Sequence, residues 1–148
     1  MKRILVPLDL RTEPDVVAQV VADAARGAGA SVRLLHVAPV PEAVEGIDGR
    51  ILSYADQEAA RVEADALDYL HAIEILLDGV PVESVVRFGD PTEEILAEAD
   101  EFCADLIALT TSRSAGLRHF LRGGTARRVR RRARTAVMLL QPPALFAA

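Results

Sequence analysis

The chain has one cysteine, Cys103, and no acidic residue anywhere among residues 111 to 148. A lone cysteine excludes an intrachain disulfide and a cysteine-based metal cluster, so Cys103 is expected as a buried helix residue. No apolar run approaches the roughly 20 residues that cross a bilayer. Met1-Lys2-Arg3 leads into a strand-like run that meets Pro7 and Asp9, where a leader would carry an apolar core and small residues, so a cytoplasmic protein without a membrane partner is expected. Neither a serine nucleophile elbow nor a metal-spaced carboxylate cluster is present. The three histidines are scattered, with His36 inside a strand-like run, His71 on a long helical pattern and His119 beside Phe120 in a loop. A hydrolase needs more than this, so catalysis is not the expected work of the chain and no catalytic residue is assigned.

What is present divides sharply by charge. Residues 1 to 110 hold all 22 acids with 8 bases, whereas residues 111 to 148 hold 9 arginines. Six of these crowd into Arg127-Arg128-Val129-Arg130-Arg131-Arg132-Ala133-Arg134. Ala126, Val129 and Ala133 fall at i, i+3 and i+7, a narrow apolar stripe that docks a helix and leaves its arginines solvated or paired with acidic neighbours. With no aromatic interleaved for base stacking, nucleic acid is not the expected partner. An interaction module that uses this helix to recruit an acidic protein or nucleic acid is the competing class.

At 148 residues the chain fits one domain over 1–148, with 142–148 as a short tail. Strand-like runs alternate with helical patterns, the arrangement of a parallel sheet covered on both faces. Strands are expected at 3–8, 31–37, 81–87, 105–109 and 135–140. Thr12 is the expected cap of a first helix with Pro14 in its first turn, a buried stripe at Val16, Val17, Val20 and Val21, and an end at Gly27 or Gly29. An exposed loop to Arg50 precedes a long helix from about Ile51 to Leu77. Asp90 caps the next helix, Pro91 opens it, and Glu93 is placed to reach back as a capping-box partner. The fold class is therefore α/β, a doubly wound five-stranded parallel sheet of order 3-2-1-4-5 with helices on both faces. In that order the last strand is an edge. Val137, Met138, Leu139 and Leu140 are apolar on both faces, and Pro142-Pro143 ends the run. Antiparallel pairing across a two-fold axis would satisfy this edge, so a homodimer is expected.

The same order sets the turn after strand 1 beside the segment after strand 4, at the carboxyl edge where open sheets take ligands. There Leu106 to Leu109 runs into Thr110, Thr111, Ser112, Arg113, Ser114 and Gly116, and the segment closes on Gly123, Gly124 and Thr125 before a helix. Hydroxyls, an arginine and the unpaired N–H groups of a helix start are suited to holding a phosphate. Asp9 lies opposite, with a structural reading as a turn cap and a functional one as a ligand group.

Ile4-Leu5-Val6-Pro7-Leu8-Asp9, Leu35-His36-Val37, Phe88-Gly89-Asp90-Pro91, Ala104-Asp105-Leu106-Ile107 and Val137-Met138-Leu139-Leu140 together resemble the universal stress protein family. The resemblance implies a five-stranded α/β fold, a cytoplasmic location and a homodimer joined through the last strand. It also implies that Asp9 approaches a nucleoside and that the backbone of Val37 lies by an adenine. ATP-binding members carry G-x2-G-x9-G-[ST] after strand 4, and this chain departs from that pattern. With Gly123 as third glycine, Thr110 and Arg113 replace the first two and Gly124 replaces the hydroxyl residue. With Gly124-Thr125 as the final pair, Thr111 and Ser114 are the replacements. Flanking residues favour the first register. The expectation is a non-catalytic nucleotide- or anion-binding dimer whose affinity for ATP, with magnesium if bound, is weakened or lost. A slow ATPase using Asp9 and a metal is the alternative.

Overall fold

The computed structural model describes residues 2–110 and 124–141. Five strands form one parallel sheet: β1 (Lys2–Pro7), β2 (Ala30–Ala38), β5 (Val82–Phe88), β6 (Leu106–Thr110) and β7 (Ala136–Leu140), in the order β5-β2-β1-β6-β7. Numbered among themselves these strands run 3-2-1-4-5, as their crossovers require. Each observed strand lies within a residue or so of its expected bounds.

The helices cover both faces because each sheet strand is apolar on both sides. On one face α1 (Pro14–Ala28) and α2 (Ala55–Leu76) enclose a core with Ile4, Val6, Val32, Leu34, Leu70 and Ile73. On the other, α3 (Pro91–Phe102) and α4 (Thr125–Arg132) enclose Leu5, Leu35, Ile95, Ile107 and Val129. Leu5 beside Val6 and Leu34 beside Leu35 thus serve opposite cores, and each is fully buried, which contributes roughly 1.5–3 kcal/mol per side chain.

The local signals divide into those that hold and those that packing overrides. Gly29, at φ 60, ends α1, so the glycine at 29 and not the one at 27 supplies the left-handed cap. In the same helix Val17 and Val21 are fully buried while Val16 and Val20 are half-buried. Thr12 is not the cap: the N-cap is Glu13, without a side-chain bond, because Pro14 is itself the first helical residue. Asp90 does cap α3, accepting the Glu93 N–H at 3.0 Å. The Glu93 carboxylate does not reach back, since Arg132 of α4 takes it at 2.5 Å. The segment expected as loop and helix start instead holds a small hairpin, β3 (Val44–Glu45) with β4 (Ile51–Ser53), and α2 begins only at Ala55. Cys103 is exposed, not buried, because it is the left-handed C-cap of α3 at φ 55 and turns away from the core.

A buried charge joins the α3 layer to the sheet. Glu98 is 2% exposed and receives Arg33 from β2 at 2.7 Å and Arg87 from β5, while Arg87 also reaches Glu94 and Glu101. Burial works to lower the pKa of both arginines. Hydrogen bonds and charges from Glu83 and Glu98 outweigh it at Arg33, and those from Glu94, Glu98 and Glu101 outweigh it at Arg87, so both stay above the ordinary value.

Candidate functional site

The strand registers decide what meets at the carboxyl edge. β1 pairs with β2 up to Pro7↔Leu35, and on its other side Leu5 pairs with Ile107 of β6. Val37 lies two residues past Leu35 on β2, Asp9 two past Pro7, and Thr110 three past Ile107, so all three stand at the carboxyl edge just beyond the paired residues. The ladder persists one step past β1, where the Leu8 N–H donates to the Leu35 carbonyl at 2.8 Å. Beyond that step β2 goes on alone to Ala38, paired with β5 on its far side only. The chain leaving β1 therefore parts from β2 beside the switch point of the sheet, which lies between β1 and β6, where open parallel sheets form their ligand crevice.

The turn that opens it is held by local bonds and carries strain. Asp9 is exposed, and its Oδ1 accepts the Arg11 N–H at 3.0 Å. Its other oxygen, Oδ2, has no partner among the described residues, so the cap role and the ligand role are compatible. Leu10 sits at φ 68, a conformation costing a side-chain-bearing residue about 1–2 kcal/mol, while its side chain packs on the first core.

Two further residues brace the turn. His36 Nδ1 donates to the Leu8 carbonyl at 2.8 Å, which fixes the proton on that nitrogen. From α2, the Tyr69 hydroxyl donates to the Thr12 carbonyl at 2.5 Å. Burial, followed by the charges of Asp9 and Glu13, pushes the Tyr69 phenol up to about 12. Sequence reasoning set His36 aside as a strand residue and missed both Tyr69 and the strain at Leu10. No local pattern marks a contact across 57 positions.

On the far side of the crevice Thr110 is the last residue of β6, paired with Leu140 of β7, and needs no glycine-like backbone. Gly124 stands before α4 at φ 99, and a Cβ there would meet no atom within 4 Å, so conformation and not space calls for glycine. Gly124 makes no side-chain cap, and the first helical bond is Arg128 N–H to the Gly124 carbonyl. The N–H groups of Thr125, Ala126 and Arg127 have no partner among the described residues, as at any helix start, and are suited to an anion. Thr111, Ser112, Arg113, Ser114, Gly116 and Gly123 lie outside the described residues, as does His119. A separate groove of about 380 Å³, lined by Leu96, Asp100, Ile107, Arg132 and Thr135, lies toward the amino ends of β6 and β7 and is not this crevice.

No helix among the described residues is long and apolar enough to cross a membrane. No curated protein matches the sequence. Among solved structures, the hypothetical protein MJ0577 superposes with a TM-score of 0.72 at 19% identity, covering 97% of this chain and 98% of that one. A universal stress protein in complex with cAMP superposes at 0.64 with 16% identity, covering 95% of this chain and 97% of that one. A universal stress protein from Archaeoglobus fulgidus in complex with dAMP superposes at 0.62 with 21% identity, covering 95% and 98%. At such identities these likenesses establish the fold. The description of the Universal stress protein family matches residues 1–141, and the chain belongs to that family.

Proposed function

We propose that this protein is a cytoplasmic, homodimeric, non-catalytic binder of adenine nucleotides that acts in signalling under stress, with its affinity for ATP weakened. The reading is supported by the position of Val37, Asp9 and the end of β6 together at the carboxyl edge of the sheet, beside the switch point between β1 and β6. A base set against the β2 backbone leaves its ribose by Asp9 and its phosphates toward the start of α4. Relatives of the same fold in complex with cAMP and dAMP support an adenine nucleotide as the ligand class.

Gly124 at φ 99 followed by Thr125 as first helical residue supports the second register, with Gly124-Thr125 as the closing glycine–hydroxyl pair. That reverses the preference drawn from flanking residues, since a serine at 124 would be strained. Thr111 and Ser114 then stand where two glycines would let the backbone approach a triphosphate, and this weakens ATP more than a monophosphate. Asp9, exposed at that edge with Oδ2 unpartnered among the described residues, is a carboxylate that a bound magnesium ion would use.

Steady-state ATP turnover by the purified protein tests the reading. No more than trace hydrolysis is expected. Turnover of several per second, abolished by Asp9→Ala, would make the protein an enzyme and overturn the proposal.

A further inference from the structure

The arginines of α4 are the largest feature of the molecule that the crevice does not use. Of the six between residues 127 and 134, only Arg132 has an acidic partner among the described residues, the Glu93 carboxylate. Arg127, Arg128, Arg130, Arg131 and Arg134 are exposed. At about 100° per residue, Arg130, Arg127, Arg131 and Arg128 cover about 160° of the helix circumference, centred opposite the fully buried Val129. Arg127, Arg128, Arg130 and Arg131 span about 6 Å of the helix, or one charge per roughly 2 Å, and Arg134 lies past the C-cap at Ala133. Duplex DNA carries one phosphate per about 1.7 Å of its axis.

The composition of this face decides which partner it fits. A protein interface needs an apolar or aromatic centre, and here the outer face is arginine throughout. An interfacial membrane helix needs a free apolar side, whereas the apolar stripe of α4 is docked on the sheet through Val129. The phosphate backbone of a duplex needs charge alone, supplied by guanidinium groups that bind phosphate oxygens in pairs. Of the acids on α3, Glu94, Glu98 and Glu101 are held by Arg87 and Glu98 by Arg33 as well, which leaves Asp90 and Asp100 beside Arg132. We propose that the arginine face of α4 binds the phosphate backbone of duplex nucleic acid without reading its sequence. The absence of stacking aromatics, which counts against single strands, does not bear on this mode.

Anisotropy of a labelled mixed-sequence DNA duplex against the full chain tests the proposal. Affinity should fall about 150-fold between roughly 50 and 200 mM salt for four phosphate contacts, equally for a second duplex of unrelated sequence. Combining Arg128→Gln with Arg131→Gln, with Arg132 kept, should reduce the slope of log affinity against log salt by about 2. Combining Arg127→Gln with Arg130→Gln should reduce it by about 2, which guards against a single misfolded variant. No anisotropy change at about 50 mM salt, or binding by both variants equal to that of the wild type, overturns the proposal. Binding to phosphatidylserine vesicles without binding to the duplex also overturns it, in favour of a lipid surface.

Discussion

The Tyr69 hydroxyl donates to the Thr12 carbonyl at 2.5 Å, so the middle of α2 holds the strained turn that presents Asp9. Removing the hydroxyl in Tyr69→Phe leaves that carbonyl unpaired and should cost about 1 kcal/mol, read from the urea midpoint. The phenol pKa of about 12 exceeds its ordinary 10.0, so the neutral form is favoured in the folded protein. Its contribution to stability is fully present below pH 10 and is lost as pH rises from 10 through 12. In Tyr54→Phe, where Tyr69 is the only phenol, the ultraviolet phenolate signal should rise with a midpoint near 12. A midpoint at 10 would place the hydroxyl in water.

Glu98 clamps the α3 layer to β2 and β5 through Arg33 and Arg87. Glu98→Ala leaves Arg33 with Glu83 and Arg87 with Glu94 and Glu101, so it should cost less than a fully broken buried pair, about 2 kcal/mol in denaturant titration. A loss below about 1 kcal/mol would mean that water already solvates the cluster.

The exposed pair between α3 and α4 should leave a titration signature without much stability. The hydrogen bond from Arg132, and then its charge, hold the Glu93 carboxyl below the ordinary carboxylate value. Its small contribution is present above the unfolded-state pKa and fades as pH falls through the lowered folded one. Carboxyl carbon titration by NMR should show Glu93 moving back up in Arg132→Gln. An unchanged midpoint would break the pair.

Fold and edge are legible in the sequence because apolar runs, Pro14, Pro91, Gly29 and Asp90 act locally. The hairpin at 44–53 is not, since its two short strands carry no alternation long enough to oppose the helical reading. Cys103 shows that burial cannot be read from residue type alone: a helix cap turned an apolar side chain outward. Asp9 and Val37 are nameable from sequence, but Tyr69 and His36 act on the turn from other elements, and only strand registers bring them together.

Edge pairing through β7 also admits a cleaner test than the strand's apolar residues suggest. Val137 and Leu139 pack on the second core, so lysines there would damage the fold as well as the edge. Met138 is 47% exposed on the opposite face, and Met138→Lys should shift sedimentation from dimer to monomer with thermal stability of the fold kept. Paired edges would set two α4 helices on the same face, so the dimer should tighten as salt screens their arginines. A wild-type protein that sediments as a monomer at high micromolar concentration contradicts the dimer.

Calorimetric titration with AMP, cAMP and ATP, on the wild type and on Asp9→Ala, tests the central claim most directly. The account predicts binding of ATP with a dissociation constant between about 1 μM and 1 mM, roughly −8 to −4 kcal/mol. It also predicts tighter binding of a monophosphate, loss of both in Asp9→Ala, and a gain for ATP in Thr111→Gly with Ser114→Gly. ATP binding tighter than about 1 μM would contradict the weakened phosphate loop, and no heat with any of the three nucleotides at millimolar concentration would contradict the nucleotide site itself.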